Sequence, residues 1–249
     1  MNILPLFGKV AIVTGGTGYV GAAIVRRLAR EGADIAFSYL SSNVLAEQLV
    51  SEVHARGRRA IALRADFSVP AEVEAFIWGA HDGFGRLDVL VNAVNVEANA
   101  RVDDLDADMQ AIQRQFDVNV RGIAIAVRTA APLLIDGGRI ISVGPVLAGN
   151  QACAGKSDFL ATKAAVASYT RGWCHEFRHR AITANIVEIG RIDVGVGTSI
   201  VRGMNEELAA ARQRSGTSEA VAGAVAFLAG PDAGYISGTS LRVDGGLNV

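Results

Sequence analysis

The chain has 249 residues, of which 50% are hydrophobic and 20% are charged, and its formal net charge is −1. This balance gives no electrostatic reason to expect binding to nucleic acid or to an anionic membrane. With two cysteines, no basic stretch leading into an apolar one at the start, and no apolar run near the roughly 20 residues that span a bilayer, we expect a cytoplasmic protein without a disulfide framework.

Short apolar runs alternate with longer helical patterns along the chain. In order, they predict strand 9–14, helix 18–31, strand 34–39, helix 44–56, strand 59–65, helix 70–84, strand 88–92, helix 109–131, strand 139–143, helix 159–178, strand 182–187, helix 218–228 and strand 240–243. Continuous apolar strands are typical of a parallel sheet that is covered by helices on both faces. Right-handed crossovers then give a Rossmann-type, doubly wound α/β fold of about seven strands.

The alternation has no linker or internal repeat, so residues 1–249 are predicted to form one domain. Residues 191–211 have the least regular pattern and no predicted place in the sheet. Because ligands of such folds bind at the strand ends, this segment is a candidate lid over a cleft.

A glycine-rich turn directly follows the first strand and opens the first helix. It reads Thr14-Gly15-Gly16-Thr17-Gly18-Tyr19-Val20-Gly21. Glycines allow the backbone to approach a pyrophosphate closely, and the helix N-terminus supplies free N–H groups. We therefore predict that a dinucleotide binds at this turn. The ring of Tyr19 must either leave the phosphate path or block it.

Together with segments further along, this turn resembles the short-chain dehydrogenase/reductase family, and the resemblance covers the whole chain. The turn has the T-G-x-x-G-x-x-G spacing of the family's longer members, residues 90–95 resemble its L-V-N-N-A-G motif, and residues 238–246 resemble its closing strand and turn. The resemblance implies a cofactor site for a nicotinamide dinucleotide. Its expected residues are Gly15, Thr17, Gly18, Tyr19, Val20, Gly21, Tyr39, Ser41, Ser42, Asp66, Phe67, Asn92, Ala93 and Lys163.

The end of the second strand bears on the choice between NAD and NADP. Tyr39 stands where an acidic residue would bind the ribose hydroxyls of NAD. Ser41 and Ser42 could donate hydrogen bonds to a 2′-phosphate, although no arginine lies beside them in sequence. We expect NADP(H) in preference to NAD(H). The alternative is that both serines only cap the following helix.

The catalytic positions depart from the family pattern. The resemblance implies a catalytic tyrosine four residues before Lys163 and a catalytic serine after the fifth strand, but those positions hold Phe159 and Pro145. Ser142 lies on the opposite face of a period-two strand. Of the family's catalytic residues only Asn119 and Lys163 remain, and Asn119 could instead make a helix-packing hydrogen bond.

A displaced proton donor could replace the tyrosine. The candidates are Lys156, Ser157 and Asp158, and Lys156 lies seven residues before Lys163, where enoyl reductases of the family place a tyrosine. The alternative is a solvated loop in which Ser157 or Asp158 caps the helix. The His175-Glu176-Phe177-Arg178-His179 run matches a zinc motif, but its place at the end of a long helix favours coincidence, and no metal site is expected.

Three functions stay open at this point. The first is an NAD(P)(H)-dependent oxidoreductase that acts on a carbonyl or enone-type small molecule with a non-standard proton donor. The second is a catalytically silent dinucleotide-binding homologue that serves as a sensor or as the partner of an active paralogue. The third is non-redox chemistry in the same cleft. Small residues on helix 159–178 also make a homodimer or homotetramer plausible.

Overall fold

The computed structural model describes residues 4–145, 154–193 and 215–247. Strands and helices alternate as the sequence predicts, and their bounds in chain order are β1 Val10–Thr14, α1 Tyr19–Arg30, β2 Asp34–Tyr39, α2 Asn43–His54, β3 Ala60–Arg64, α3 Pro70–Phe84, β4 Leu87–Asn92, α4 Met109–Phe116, α5 Ile123–Ala130, β5 Leu134–Pro145, α6 Ser157–Glu176, β6 Thr183–Ile189, β7 Ile192–Asp193, β8 Gly216–Thr217, α7 Ser218–Ala229 and β9 Ser240–Val243.

Seven parallel strands form the main sheet in the order β3-β2-β1-β4-β5-β6-β9. The predicted Rossmann-type fold is therefore confirmed. The chain runs outward from β1 to β3 and then returns to add β4 on the other side of β1. This reversal separates the loops that follow β1 and β4, and it leaves a crevice at the carboxyl ends of the central strands.

Alternate residues of the central strands pack into two apolar layers. Ala11 and Val13 of β1 pack with α1, α2 and α7, whereas Ile12 packs with α3, α5 and α6. Both faces of the sheet are thus buried, as the continuous apolar strands predict. This rigid double layer holds the strand ends in fixed relative positions.

The single helix predicted for residues 109–131 is wrong in its middle. A π-helical stretch, Asp117–Gly122, separates α4 from α5. Gly122 packs directly under the backbone of Phe67, so that a Cβ added there would lie 2.3 Å from the Phe67 carbonyl oxygen. The wider turn also brings Asn119 into the interior, where it is buried. A π-bulge inside a helix is frequently found at a functional site.

The second difference concerns the candidate lid. Ile192–Asp193 and Gly216–Thr217 pair as a short two-stranded parallel sheet, although no sheet was predicted for residues 191–193. The remainder of the predicted lid, residues 194–211, lies outside the described residues. Strand β5 is also longer than predicted, because it continues to Pro145 beside Ile189.

The close packing at Gly122 yields a stability prediction. Gly122→Ala should lower the free energy of unfolding by about 1–3 kcal/mol, because the added methyl group meets backbone that has no room to move. The measurement is urea unfolding followed by circular dichroism. Gly172→Ala is the matched control, since Gly172 lies in α6 with open space around its Cβ position. An equal effect of the two substitutions would contradict the packing argument.

Candidate active site

A cavity of about 380 Å³ opens at the carboxyl ends of β1, β2, β4 and β5. The glycine-rich turn and the end of β2 form one side, and the loop after β4 and the start of α6 form the other. The reversal of strand order lies at the same place, which is where α/β sheets usually bind ligands.

The glycine-rich turn has the shape that a diphosphate requires. Gly15 has φ +67°, and its N–H donates to Ser38 Oγ at 2.8 Å. A Cβ at Gly21 would lie 2.1 Å from the Gly15 carbonyl oxygen, so only glycine permits this close approach of helix and turn. The described residues therefore fit a dinucleotide with backbone close to its phosphates.

Helix α1 begins at Tyr19, and no side chain caps it in the part of the chain that the structure describes. Its first-turn N–H groups are consequently available to an anion, and the helix dipole favours negative charge there. The side chain of Tyr19 lies at the edge of the cavity and is 58% exposed. It therefore does not fill the crevice. The lining includes all six predicted turn residues: Gly15, Thr17, Gly18, Tyr19, Val20 and Gly21.

Thr14 joins the ends of β1 and β4. Its Oγ1 accepts hydrogen bonds from the N–H groups of Ala93 and Val94, each at 3.0 Å. Ala93 lines the cavity as predicted, but Asn92 does not. Asn92 is fully buried at the end of β4, where its Nδ2 donates to Ser142 Oγ at 3.5 Å. Asn92 therefore connects the ends of β4 and β5 instead of facing the cavity.

Of the residues predicted to bind the adenosine part of the nucleotide, some line the cavity and some do not. Tyr39, Ser41 and Phe67 line it. Ser42 instead caps α2 by accepting a hydrogen bond from Leu45 N at 3.3 Å, as in the alternative given for it. Asp66 lies outside the lining and pairs with Arg114 at 3.0 Å. Although burial opposes ionisation, hydrogen bonds from Ser68 and Arg114 hold the pKa of Asp66 below its usual range.

A cation that was not predicted from the sequence lies near this end of the cavity. Arg64 is the register partner of Tyr39 on the neighbouring strand, and its side chain is 60% exposed. The distance from Arg64 Nη1 to Glu72 Oε2 is 3.9 Å, so the two are paired only loosely. Adjacent strands lie about 4.8 Å apart, which places an arginine beside the end of β2 although none is near in sequence. Strand pairing is the signal that could have identified it.

Phe159 and Pro145 both line the cavity, on the side opposite the glycine-rich turn. Pro145 is the last residue of β5, and Phe159 lies in the first turn of α6 with only 5% of its surface exposed. Neither side chain carries a proton that it could give or take. Ser142 is buried and does not line the cavity.

Lys163 lies behind Phe159 on the same helix and is 1% exposed. Its Nζ has no hydrogen-bond partner among the described residues, and it lies 5.5 Å from the centre of the Phe159 ring. Burial lowers the pKa of Lys163 to about 7, against the opposing effect of the Glu97 carboxylate. A buried, unpartnered Nζ is costly unless a ligand or its own neutral form relieves it. Lys163 does not itself reach the cavity lining in this conformation.

Asn119 binds the loop that follows β4. Its Oδ1 accepts from Val96 N at 2.9 Å, and its Nδ2 donates to Val96 O at 2.8 Å. Asn119 is therefore a positioning residue here rather than a group that faces the cavity. Both Val96 and Glu97 line the cavity, so the π-helical stretch holds one of its walls.

Lys156 and Glu97 form an ion pair at that wall, with Nζ and Oε1 2.8 Å apart. Both residues line the cavity, and their side chains are only 12% and 22% exposed. The alternative of a solvated loop at Lys156 is therefore wrong. Capping by Ser157 or Asp158 is also wrong, because the N-cap position is Lys156 and no side chain caps the helix within the described region.

The His175–His179 run, which matches a zinc motif, is not arranged as a metal site within the described residues. His175 and Glu176 lie at the end of α6, while His179 lies in the following 3₁₀ turn, Arg178–Arg180. Within residues 4–145, 154–193 and 215–247, no group of three His, Cys, Asp or Glu side chains could hold a metal ion.

Over the same ranges, none of the helices combines the length and apolar character that crossing a bilayer requires.

The family model described as enoyl-(acyl carrier protein) reductase matches residues 18–248. A 3-oxoacyl-[acyl-carrier-protein] reductase of Synechocystis is 32% identical, over 97% of this chain and 98% of the relative. The chain belongs to the short-chain dehydrogenase/reductase family. This assignment confirms the expected oxidoreductase class.

Two solved structures are similar to this chain over 98% of its length and 100% of theirs. A blue fluorescent protein from a metagenomic library, in complex with NADPH, has a TM-score of 0.92 and 41% identity. A short-chain dehydrogenase from Burkholderia cenocepacia, in complex with NADP, has a TM-score of 0.91 and 39% identity. The fold and the path of the backbone are thus shared with dinucleotide-binding proteins.

The burial of Lys163 predicts a pH dependence of stability. Its folded pKa of about 7 lies below the value of about 10.4 for a lysine in an unfolded chain. The unfolded state therefore binds more protons in this window. In the absence of nucleotide, the free energy of unfolding should rise by about 2 kcal/mol from pH 7 to pH 9.

Urea unfolding at both pH values measures this rise. Lys163→Met should abolish it, because the titrating group is gone. Lys9→Met should retain it, since Lys9 lies at the surface near the start of β1 and pairs with Asp88. A wild-type protein whose stability is flat over this range would show that Lys163 is not held in a neutral, buried state.

Proposed function

We propose that this protein is an NADP(H)-dependent reductase of small carbonyl compounds whose proton donor is not the usual tyrosine. The carrying observation is a cavity lined by the glycine-rich turn and by Phe159, together with the buried, unpartnered Nζ of Lys163 that lies 5.5 Å from the Phe159 ring. The similarity to a 3-oxoacyl reductase supports a carbonyl substrate.

Each part of the site has a proposed role. The N–H groups at the start of α1 bind the diphosphate, and Ala93 and Phe67 flank the nucleotide in the cleft. Lys163 moves from beneath Phe159 to bind the nicotinamide ribose, which relieves its buried charge. Bound NADPH would supply the hydride. Asn119 holds Val96 and so fixes the cavity wall beside the substrate.

Three features favour NADP(H) over NAD(H). The end of β2 carries no carboxylate that would repel a 2′-phosphate, since Tyr39 and Ser41 line the cavity there. Arg64 lies in register with Tyr39 and is exposed, so its guanidinium can reach a phosphate from the neighbouring strand. Two similar structures contain NADPH or NADP.

Fluorescence titration tests the cofactor site. NADPH should bind at least about tenfold more tightly than NADH, which corresponds to about 1.4 kcal/mol. Gly21→Ala should weaken NADPH binding by 100-fold or more, because the added Cβ would lie 2.1 Å from the Gly15 carbonyl oxygen and push the turn out of shape.

Gly172→Ala is again the control, because its added methyl group meets open space and its helix lies outside the turn. NADPH binding that survives Gly21→Ala unchanged would place the nucleotide elsewhere. Equal affinity for NADH and NADPH would remove the proposed role of the 2′-phosphate.

A catalytically silent dinucleotide-binding protein is the second candidate. It is favoured by one observation, which is that Pro145 and Phe159 face the same cavity. We assign these two residues to the family's serine and tyrosine positions. If the wild-type protein is silent, the double variant Phe159→Tyr with Pro145→Ser should create NADPH oxidation with activated ketones where the wild type has none.

The absorbance at 340 nm in single-turnover mixtures measures that gain. Phe159→Leu with Pro145→Ala is the matched control, because it opens the same positions without adding a hydroxyl. Robust wild-type turnover would eliminate the silent candidate. A product that forms without any change at 340 nm would instead favour non-redox chemistry.

We also propose a homodimer or homotetramer in the cytoplasm, as for the family.

A further inference from the structure

The cavity needs a proton source that Phe159 cannot provide. Most of the described lining side chains that carry an exchangeable proton lie on the glycine-turn side, and these are Thr17, Tyr19, Ser38, Tyr39 and Ser41. On the other side, beside Phe159, the ionisable groups in the described lining are Lys156 and Glu97. A substrate carbonyl bound at that wall would therefore meet this ion pair.

The Lys156–Glu97 pair is held in place from both sides. The Ala100 N–H donates to the Gly155 carbonyl oxygen at 3.0 Å, which ties the loop after β4 to the start of α6. Asn119 fixes Val96, the residue next to Glu97. An ion pair with two anchored backbones loses little conformational freedom when it orients a substrate.

The spacing along α6 places Lys156 on the same side of the helix as Phe159 and Lys163. Lys156 immediately precedes the helix, Phe159 follows three residues later and Lys163 follows seven residues later. Residues at these intervals share one helix face. The Glu97 carboxylate also acts on Lys163, whose pKa it raises.

We propose that Lys156 is the proton donor to the carbonyl oxygen of the substrate, and that Glu97 is its positioning residue. This inference rests on the proposed reductase function. When the carbonyl carbon gains hydride, the electron pair of the C=O π bond moves to oxygen and takes a proton from the Lys156 ammonium. Lys156 becomes a neutral amine and regains a proton from water in the open cavity. Glu97 stays a carboxylate throughout.

General acidity is compatible with this role. An ammonium group carries an exchangeable proton that it can give to a developing alkoxide. The ammonium has the further advantage of a positive charge close to the oxygen where negative charge develops. The substrate class that fits is a small neutral ketone or aldehyde, whose oxygen reaches the ion pair while its carbon faces the cofactor.

Three variants separate proton donation from simple charge. Lys156→Met removes both the proton and the charge. Lys156→Arg keeps the charge and a partner for Glu97, but a guanidinium does not give up its proton in proteins. Lys9→Met is the control, because Lys9 pairs with Asp88 outside the cavity.

Single-turnover oxidation of NADPH with α-diketones gives the first readout. Both Lys156 variants should slow the reaction by on the order of 100-fold or more, the usual loss for a positioned acid. NADPH affinity, measured by fluorescence, should stay within twofold, and Lys9→Met should react at the wild-type rate. An arginine variant that retains more than a tenth of the wild-type rate would reduce Lys156 to an electrostatic role and overturn the proposal.

A second readout does not depend on turnover. The chain contains only three lysines, so ¹⁵N-lysine labelling gives three side-chain ammonium signals that single variants assign. Adding the product alcohol together with NADP⁺ should shift the Lys156 signal and leave the Lys9 signal in place. A Lys156 signal that does not respond to a bound product would contradict direct contact.

The outcomes also distinguish this inference from the function on which it rests. Wild-type protein that binds NADPH but reduces no carbonyl compound would overturn the reductase function, and Lys156 would lose its role with it. Wild-type turnover that Lys156→Met leaves unchanged would overturn only the assignment of the donor, while the reductase function would stand.

Discussion

The structure depends on one constraint, which is that parallel strands end together at one edge of a sheet whose order reverses beside β1. The reversal separates the loops after β1 and β4. Thr14 Oγ1 bridges them by accepting hydrogen bonds from the N–H groups of Ala93 and Val94, directly after β4. Burial of both sheet faces makes this edge rigid. Backbone N–H groups on one side can therefore face the Lys156–Glu97 ion pair on the other at fixed positions.

The regular elements were predictable because their causes are local. Continuous apolar runs indicate strands that are buried on both faces. The glycines at residues 14–21 indicate a turn whose backbone can approach a pyrophosphate closely. The π-helical stretch at Asp117–Gly122 was not predictable in the same way. It exists because Gly122 packs against the Phe67 backbone, which is a contact between segments far apart in sequence. Periodicity within a helix carries no information about such a contact.

The same distinction separates the parts of the site that the sequence identifies from those it does not. The glycine turn is contiguous, and all six of its predicted residues line the cavity. Arg64 comes beside Tyr39 only through strand pairing, and Glu97 meets Lys156 only through the loop after β4. Asn92 and Ser42 have suitable chemistry, but in this conformation Asn92 is buried against Ser142 and Ser42 caps a helix.

The phenyl ring of Phe159 also determines what Lys163 contacts in the free protein. Lys163 has no oxygen to bind among the described residues, and the face of Phe159 offers it only a weak attraction. Burial then moves its pKa to about 7, so in the free protein this lysine sits between its charged and neutral forms near neutral pH. A ligand that binds the ammonium would draw it to the charged form.

Such a lysine is suited to hold a ribose, since its charge forms when a partner arrives, and it is poorly suited to stay protonated for the chemical step. Lys156 differs from it, because its Nζ already pairs with the Glu97 carboxylate at 2.8 Å in the free protein. In the mechanism that we propose, Lys163 binds the cofactor and Lys156 presents a proton to the substrate oxygen. That mechanism requires Glu97 to stay in contact with Lys156, and Asn119 and the Ala100–Gly155 hydrogen bond anchor the loop that carries Glu97.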